Sequence, residues 1–141
     1  HRFFAKRTAT NQSVSNNTHT VAVFDNEQFD VSSAYNTSTG EYTVPETGLY
    51  FFIASIKHSA SGNTNLWNGG TQIQQNTSTI YSNFFNYAAN YINEAAHPVS
   101  GIIYCSTNDV IRVRAIVETN SGSGSIFAAG DDLYFAGFMV S

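Results

Sequence analysis

Residues 24–54 read Phe24-Asp-Asn-Glu-Gln-Phe-Asp-Val-Ser-Ser-Ala-Tyr-Asn-Thr-Ser-Thr-Gly-Glu-Tyr-Thr-Val-Pro-Glu-Thr-Gly-Leu-Tyr-Phe-Phe-Ile-Ala54, and this stretch decides the fold. The alternating run Val21, Val23, Phe24 leads in. The polar, glycine-bearing Asn36–Gly40 then separates it from Glu41–Val44, a pattern that predicts a hairpin. Pro45 has no N–H and interrupts the ladder, and Glu46–Gly48 supplies a second turn. The run Leu49–Ile53 is apolar at every position, which predicts a central strand buried on both faces.

Outward from that unit the chain reads as short strands between turn signals. Phe3-Phe4-Ala5 is an apolar entry, and residues 10–20 form a polar loop of Asn, Ser and Thr. Ile53–Lys57 runs out into a polar loop at His58–Asn63, and a strand at Asn65–Trp67 reaches Asn68-Gly69, which predicts a hairpin turn before Thr71–Gln75. In residues 80–94, period two puts Tyr81, Phe85, Tyr87 and Tyr91 on one face, whereas period 3.6 groups Phe84, Tyr87, Ala88 and Tyr91. The asparagines disfavour helix and the aromatics favour strand, so extended structure is expected, with a helical turn near Ala88-Ala89. His97-Pro98 reads as a turn, Gly101–Cys105 as strand, Ser121–Ser125 as a flexible loop and Gly130–Asp132 as another turn. Val110–Val117 alternates, with Ile111, Val113, Ala115 and Val117 inward and Arg112 and Arg114 outward. Leu133–Val140 is apolar throughout and reads as a buried final strand. Some ten short strands without a long helix predict an all-β sandwich, and 141 residues suffice for a single domain, 1–141, with a real core.

Charged residues make up 11% of the chain against roughly 25% in an average soluble protein, so the surface is polar but largely uncharged. That composition fits a secreted, extracellular protein. A net charge of −4 removes the attraction that nucleic acid or an anionic membrane requires, and the chain has no apolar run long enough to insert. Cys105 is the only cysteine, so neither an intrachain disulfide nor a cysteine-based zinc site can form; within Gly101–Cys105 it reads as a small buried core residue. Sequons at Asn11, Asn16, Asn36 and Asn76 permit secretion, and about three are expected by chance in so polar a chain.

The residues of 24–54 carry a family resemblance. The stretch resembles the globular-head domain of complement C1q, whose signature orders several aromatics, an Asn or Asp and a Gly-x-Tyr-x-Phe at fixed spacing. Phe24, Asp30, Tyr35, Gly48, Tyr50 and Phe52 stand at signature positions, while Tyr42 replaces the usual Phe and Ala54 sits where Phe or Tyr is usual. Further matches are Phe4-Ala5-Lys6-Arg7-Thr8, Asn68-Gly69, Ser100-Gly101, Asn108-Asp109-Val110 and Phe135-Ala136-Gly137-Phe138, so the resemblance spans almost the whole chain. It implies the ten-stranded jelly roll shared with the tumour necrosis factor family, assembled as a homotrimer. Some relatives bind calcium through aspartates after the mid-chain hairpin; here Asn68–Thr79 contains no Asp or Glu, so neither metal nor cofactor is expected.

Nucleophile-elbow, Walker, zincin and Rossmann patterns are missing, which argues against an enzyme. His1, His19, His58 and His97 are scattered and read as surface or turn residues; Asp131-Asp132 reads as a polar turn. Arg112 and Arg114 read as solvated charges on an outer strand face, with an anion or sialic-acid clamp as the alternative, because guanidinium forks match carboxylates. Trp67 reads either as core or as a sugar platform. Sugars are held by aromatic faces and planar amides, so the expected carbohydrate-binding set is Trp67, Tyr81, Asn83, Asn86, Tyr87, Asn90 and Tyr91. By resemblance the expected function is a secreted trimeric recognition module for glycans or microbial surfaces, similar to invertebrate C1q-type lectins. The alternative is a structural or signalling trimer that engages a protein receptor.

Overall fold

The computed structural model describes residues 1–8, 10–60, 66–87, 92–120 and 125–141, apart from the side chains of Ser125 and Ile126. Alternating apolar and polar positions build thirteen strand segments there: β1 (Arg2–Arg7), β2 (Gln12–Ser13), β3 (Thr20–Val21), β4 (Asn26–Asp30), β5 (Tyr35–Asn36), β6 (Glu41–Thr43), β7 (Gly48–Ala60), β8 (Leu66–Gln75), β9 (Ser78–Asn86), β10 (Glu94–Cys105), β11 (Val110–Thr119), β12 (Ser125–Phe127) and β13 (Gly130–Met139). Leaving out the three two-residue segments leaves ten, as the jelly roll requires. No helix occurs among the described residues.

Two antiparallel sheets face each other. The first has the order β2-β12-β7-β13-β1-β4, with β10 on the other edge of β7; the second runs β5-β6-β11-β8-β9, with β3 on β11. The first and last long strands, β1 and β13, pair from Arg2–Phe138 to Lys6–Tyr134. Their inner faces close on a cluster of rings: Phe3 stacks on Tyr42 at 4.4 Å and meets Phe135 edge-on at 4.8 Å, while Tyr50 stacks on Phe52 at 5.8 Å. Each such pair adds about 0.5–1.5 kcal/mol beyond the area it buries.

The signature residues have mechanical roles. The Asp30 carboxylate accepts the N–H groups of Ser32, Ala34 and Tyr35 and so closes the turn after β4. The Tyr35 hydroxyl donates to the Phe24 carbonyl at 3.1 Å and accepts the Phe24 N–H at 3.2 Å, which fixes a buried segment that belongs to no strand. Tyr50 donates to the Glu46 carbonyl at 2.8 Å, tying β7 to the turn before it. Ala54 is buried, with Phe135 opposite it on β13 and Val99 on β10, so larger neighbours flank the small side chain.

The departure at Tyr42 leaves a trace. Its ring is buried as the family's phenylalanine would be, but its hydroxyl has no hydrogen-bond partner. An orphaned buried hydroxyl costs about 1–3 kcal/mol. Tyr42→Phe is therefore expected to stabilise the domain by about 1 kcal/mol, read as a melting point about 3 °C higher. A lower melting point would mean that the hydroxyl is satisfied.

The hairpin of 24–54 forms as expected: β5 pairs with β6, the Asn36 side chain accepts the Ser38 and Thr39 N–H groups, and Gly40 takes φ 76°. Strand β7 is central, yet only one face is buried within the chain. Tyr50, Phe52, Ala54 and Ile56 point into the core, while Leu49, Phe51 and Ile53 look out from the other face. Several turn assignments differ. Asn68-Gly69 lies inside β8, and the reversal falls at Asn76, which holds φ 55° and donates to Asp109 at 2.9 Å. His97-Pro98 lies inside β10, opposite Ile56 and Ser55; β10 is an edge strand, where a missing N–H is tolerated. Gly130–Asp132 opens β13. His58 belongs to β7, which runs on to Ala60, and its side chain is buried rather than exposed in a loop. The expected helical turn at Ala88-Ala89 and most of the Ser121–Ser125 loop lie outside the described residues.

Candidate functional site

Strand β9 is the free edge of the second sheet, and its two faces do different work. Odd-numbered Tyr81, Asn83, Phe85 and Tyr87 turn toward β10 of the first sheet and are half-buried, whereas Ile80, Ser82, Phe84 and Asn86 face outward. Period two is thus the governing repeat. Tyr81 donates its hydroxyl proton to the Ile102 carbonyl at 2.8 Å, and its ring lies on Gly101, where a Cβ would run into it. Asn83 donates to the Pro98 carbonyl, also at 2.8 Å. These side chains occupy carbonyls on the open edge of β10 and stitch the two sheets together.

Further along the same seam an aromatic stack encloses two imidazoles. Phe85 lies on His97 at 3.8 Å, nearly parallel, and meets His58 edge-on at 5.2 Å; the two imidazole centroids are 5.4 Å apart. The Tyr87 hydroxyl is 3.5 Å from His97 Nε2. His58 donates from Nε2 to the Gly70 carbonyl at 3.1 Å, which leaves its Nδ1 a buried lone pair without a partner. Burial, followed by the charge of His97, drives the His58 pKa down to about 4; burial lowers that of His97 as well.

The outward face of the second sheet is laid out by register. One row runs Phe84, Gly70, Ile116; the next runs Ser82, Gln72, Arg114, Val21; on the other side lie Asn86, Asn68 and Glu118. The Phe84 ring lies on Gly70, where any side chain would displace it, and is 51% exposed. His19 meets that ring edge-on at 6.4 Å. Partial burial, then the nearby Arg114 charge, lowers the His19 pKa. Asn68 donates to Glu118 at 3.4 Å.

The expected sugar-binding residues that are described do not share one surface, although the Tyr87 N–H donates to the Trp67 carbonyl at 2.7 Å. Tyr81, Asn83 and Tyr87 belong to the seam, and Asn86 sits on the outward face. Trp67, 37% exposed, occupies a bulge where β8 and β11 slip register. Asn90 and Tyr91 lie outside the described residues. Sequence reasoning passed over Phe84 as a site residue, although the period-two reading that grouped Tyr81 with Phe85 already sets Phe84 on the opposite face.

Arg112 and Arg114 point outward as expected, but their surroundings differ. Glu41 holds Arg112 at 3.1 Å. Among the described residues no carboxylate pairs with Arg114. Asp131 is paired with Lys6 at 3.1 Å, and Cys105 is buried with its thiol pushed up to about 11. No group of three or more His, Cys, Asp or Glu side chains suited to a metal occurs among the described residues, and no described helix could cross a membrane.

The outer face of the first sheet is of another kind. Phe4, Phe29, Phe51, Ile53 and Phe138 line a groove of about 780 Å³, which Ile102 and Tyr104 extend as exposed apolar surface. With the two faces defined, comparison with known proteins gives one decisive result: the model of the C1q domain family matches residues 2–140. The chain belongs to the C1q domain family. Among solved structures it is similar to the globular domain of zebrafish complement 1qA protein, with TM-score 0.64 and 13% identity over 99% of this chain and 97% of that one. It is also similar to the Eiger TNF of S. frugiperda, with TM-score 0.69 and 15% identity over 99% and 91%. No curated protein matches it in sequence. At such identities the structures establish the fold, a C1q/TNF jelly roll. Membership as a C1q domain supports a trimerising recognition module of the C1q/TNF type.

Proposed function

We propose that this C1q domain is a secreted homotrimer that binds glycans or microbial surface ligands and carries out no catalysis. The observation that carries the reading is the contrast between its two outer faces. The first sheet exposes a contiguous apolar face, which an isolated soluble domain does not keep open. Two further copies cover it when three domains pack about an axis. The second sheet then faces solvent, and its outward rows of amides, hydroxyls and one aromatic ring offer the chemistry that sugars require. Three identical faces on a rigid body convert weak individual contacts into useful avidity.

Sedimentation at micromolar concentration is expected to give one species of roughly three times 15.4 kDa. That trimer should then retain members of an immobilised panel of microbial and animal glycans. A stable monomer, or a trimer that retains none of them, would overturn the reading.

A further inference from the structure

We propose that the outward face of the second sheet, centred on Phe84 and Arg114, is a binding site for a carboxylate-bearing saccharide. The proposal rests on the glycan-binding reading above and gives it an address and a ligand class.

The face combines two features that are costly to leave unused. The first is an exposed ring in polar surroundings. Gly70 leaves the Phe84 ring flat against the sheet, while Ser82, Gln72, Asn68 and Asn86 flank it in the neighbouring rows. Half-buried Ile116 completes the row of the ring across Gly70, a patch too small for a protein anchor, which needs a contiguous apolar surface of several hundred Å². It does suit a pyranose, which offers C–H bonds on one face and hydroxyls around its rim.

The second feature is the contrast between two guanidinium groups on one strand face. Arg112 is neutralised by Glu41, whereas Arg114, two residues on, is presented with no carboxylate partner among the described residues. A guanidinium fork matches a carboxylate in geometry as well as charge. Phe84 and Arg114 stand two strands apart and one row along, about 12 Å between backbones, a span that two sugar rings bridge. His19 ties them into one place, since it touches the Phe84 ring and feels the Arg114 charge.

The test uses the whole chain in its native assembly and four immobilised acidic polysaccharides: polygalacturonate, alginate, hyaluronan and polysialate, each beside its methyl-esterified form. At least one acid is expected to bind tenfold or more tightly than its ester. Arg114→Gln should abolish that preference, and Phe84→Ala should weaken acid and ester alike by about tenfold. Tyr81→Phe, which alters only the seam, should leave binding unchanged. Both test positions face solvent, and melting curves of the variants verify that the fold is kept. If no acid is preferred to its ester, or if Arg114→Gln and Phe84→Ala bind as the parent does, the site is wrong even where the glycan panel is bound elsewhere. A parent that binds no glycan at all overturns both the site and the function.

Discussion

Phe51→Glu is expected to leave a folded monomer of 15.4 kDa where the parent, on the proposed function, sediments as a trimer. Phe51 lies on the central strand with Phe138 opposite it on one neighbour and Ile102 on the other, and it meets the Phe138 ring at 5.4 Å. Among the described residues no cation stands opposite it in either ladder. In the monomer the new carboxylate faces water and costs little. In the proposed trimer three of them would enter a largely apolar contact at several kcal/mol each, since Arg2, a cation of the same groove, stands a further strand away beside Phe138. The dissociation constant should rise by at least about a thousandfold, which abolishes assembly at micromolar concentration. Phe84→Glu makes the same exchange on the second sheet and should leave the mass unchanged. A trimeric Phe51→Glu variant would place the assembly contact elsewhere.

What the sequence disclosed depended on whether the deciding interaction was local. The hairpin at Asn36–Gly40 was legible because one asparagine and one glycine build it. Strand β11 was legible because its alternation is unbroken, and Arg112 and Arg114 fall outward as read. Asn68-Gly69 misled because it is a favoured turn pair, yet here pairing with β9 and β11 holds both residues extended and the glycine admits the Phe85 ring. Tertiary pairing overrode local preference. His97-Pro98 was misread for a related reason: proline is a turn signal except on an edge strand, and edge position cannot be seen from local sequence.

The candidate site was legible in composition and not in arrangement. The asparagines and tyrosines of 80–94 do look like sugar ligands, but β9 turns Tyr81 and Asn83 to a seam and Asn86 to a surface. Which face meets solvent depends on β10 lying across the seam, more than ten residues away in sequence, where its carbonyls accept from Tyr81 and Asn83. Phe84 owes its seat against the sheet to Gly70 beneath it, a pairing that residues 80–94 alone do not disclose. His58 reads as a loop residue because it opens the small, polar run His58–Asn63, while the ladders to β10 and β12 keep it in β7.

That buried imidazole gives the other large effect, a loss of stability in mild acid. In the unfolded chain His58 titrates near its ordinary 6.5, whereas in the fold it does so at about 4. The folded domain refuses a proton that the unfolded chain accepts between these values. The contribution is therefore whole above pH 6.5, is lost as the pH falls, and levels off below 4. The difference amounts to about 3 kcal/mol per chain, or about 10 °C in melting point. His97, lowered in the same direction, steepens the fall. Asp109, held below the usual carboxylate range by hydrogen bonds from Asn76, Ser106 and Gln75, acts only at lower pH and is separable on that ground. Melting curves from pH 7 to pH 4 should show the parent descending steeply and His58→Phe descending much less, by what His97 and His19, both lowered by burial of their own, still contribute. The variant starts about 1 kcal/mol lower at neutral pH, since the Gly70 carbonyl loses its donor. If His58→Phe descends as steeply as the parent, the acid sensitivity belongs to other groups, and the imidazole stack between Phe85 and β10 is a packing feature alone.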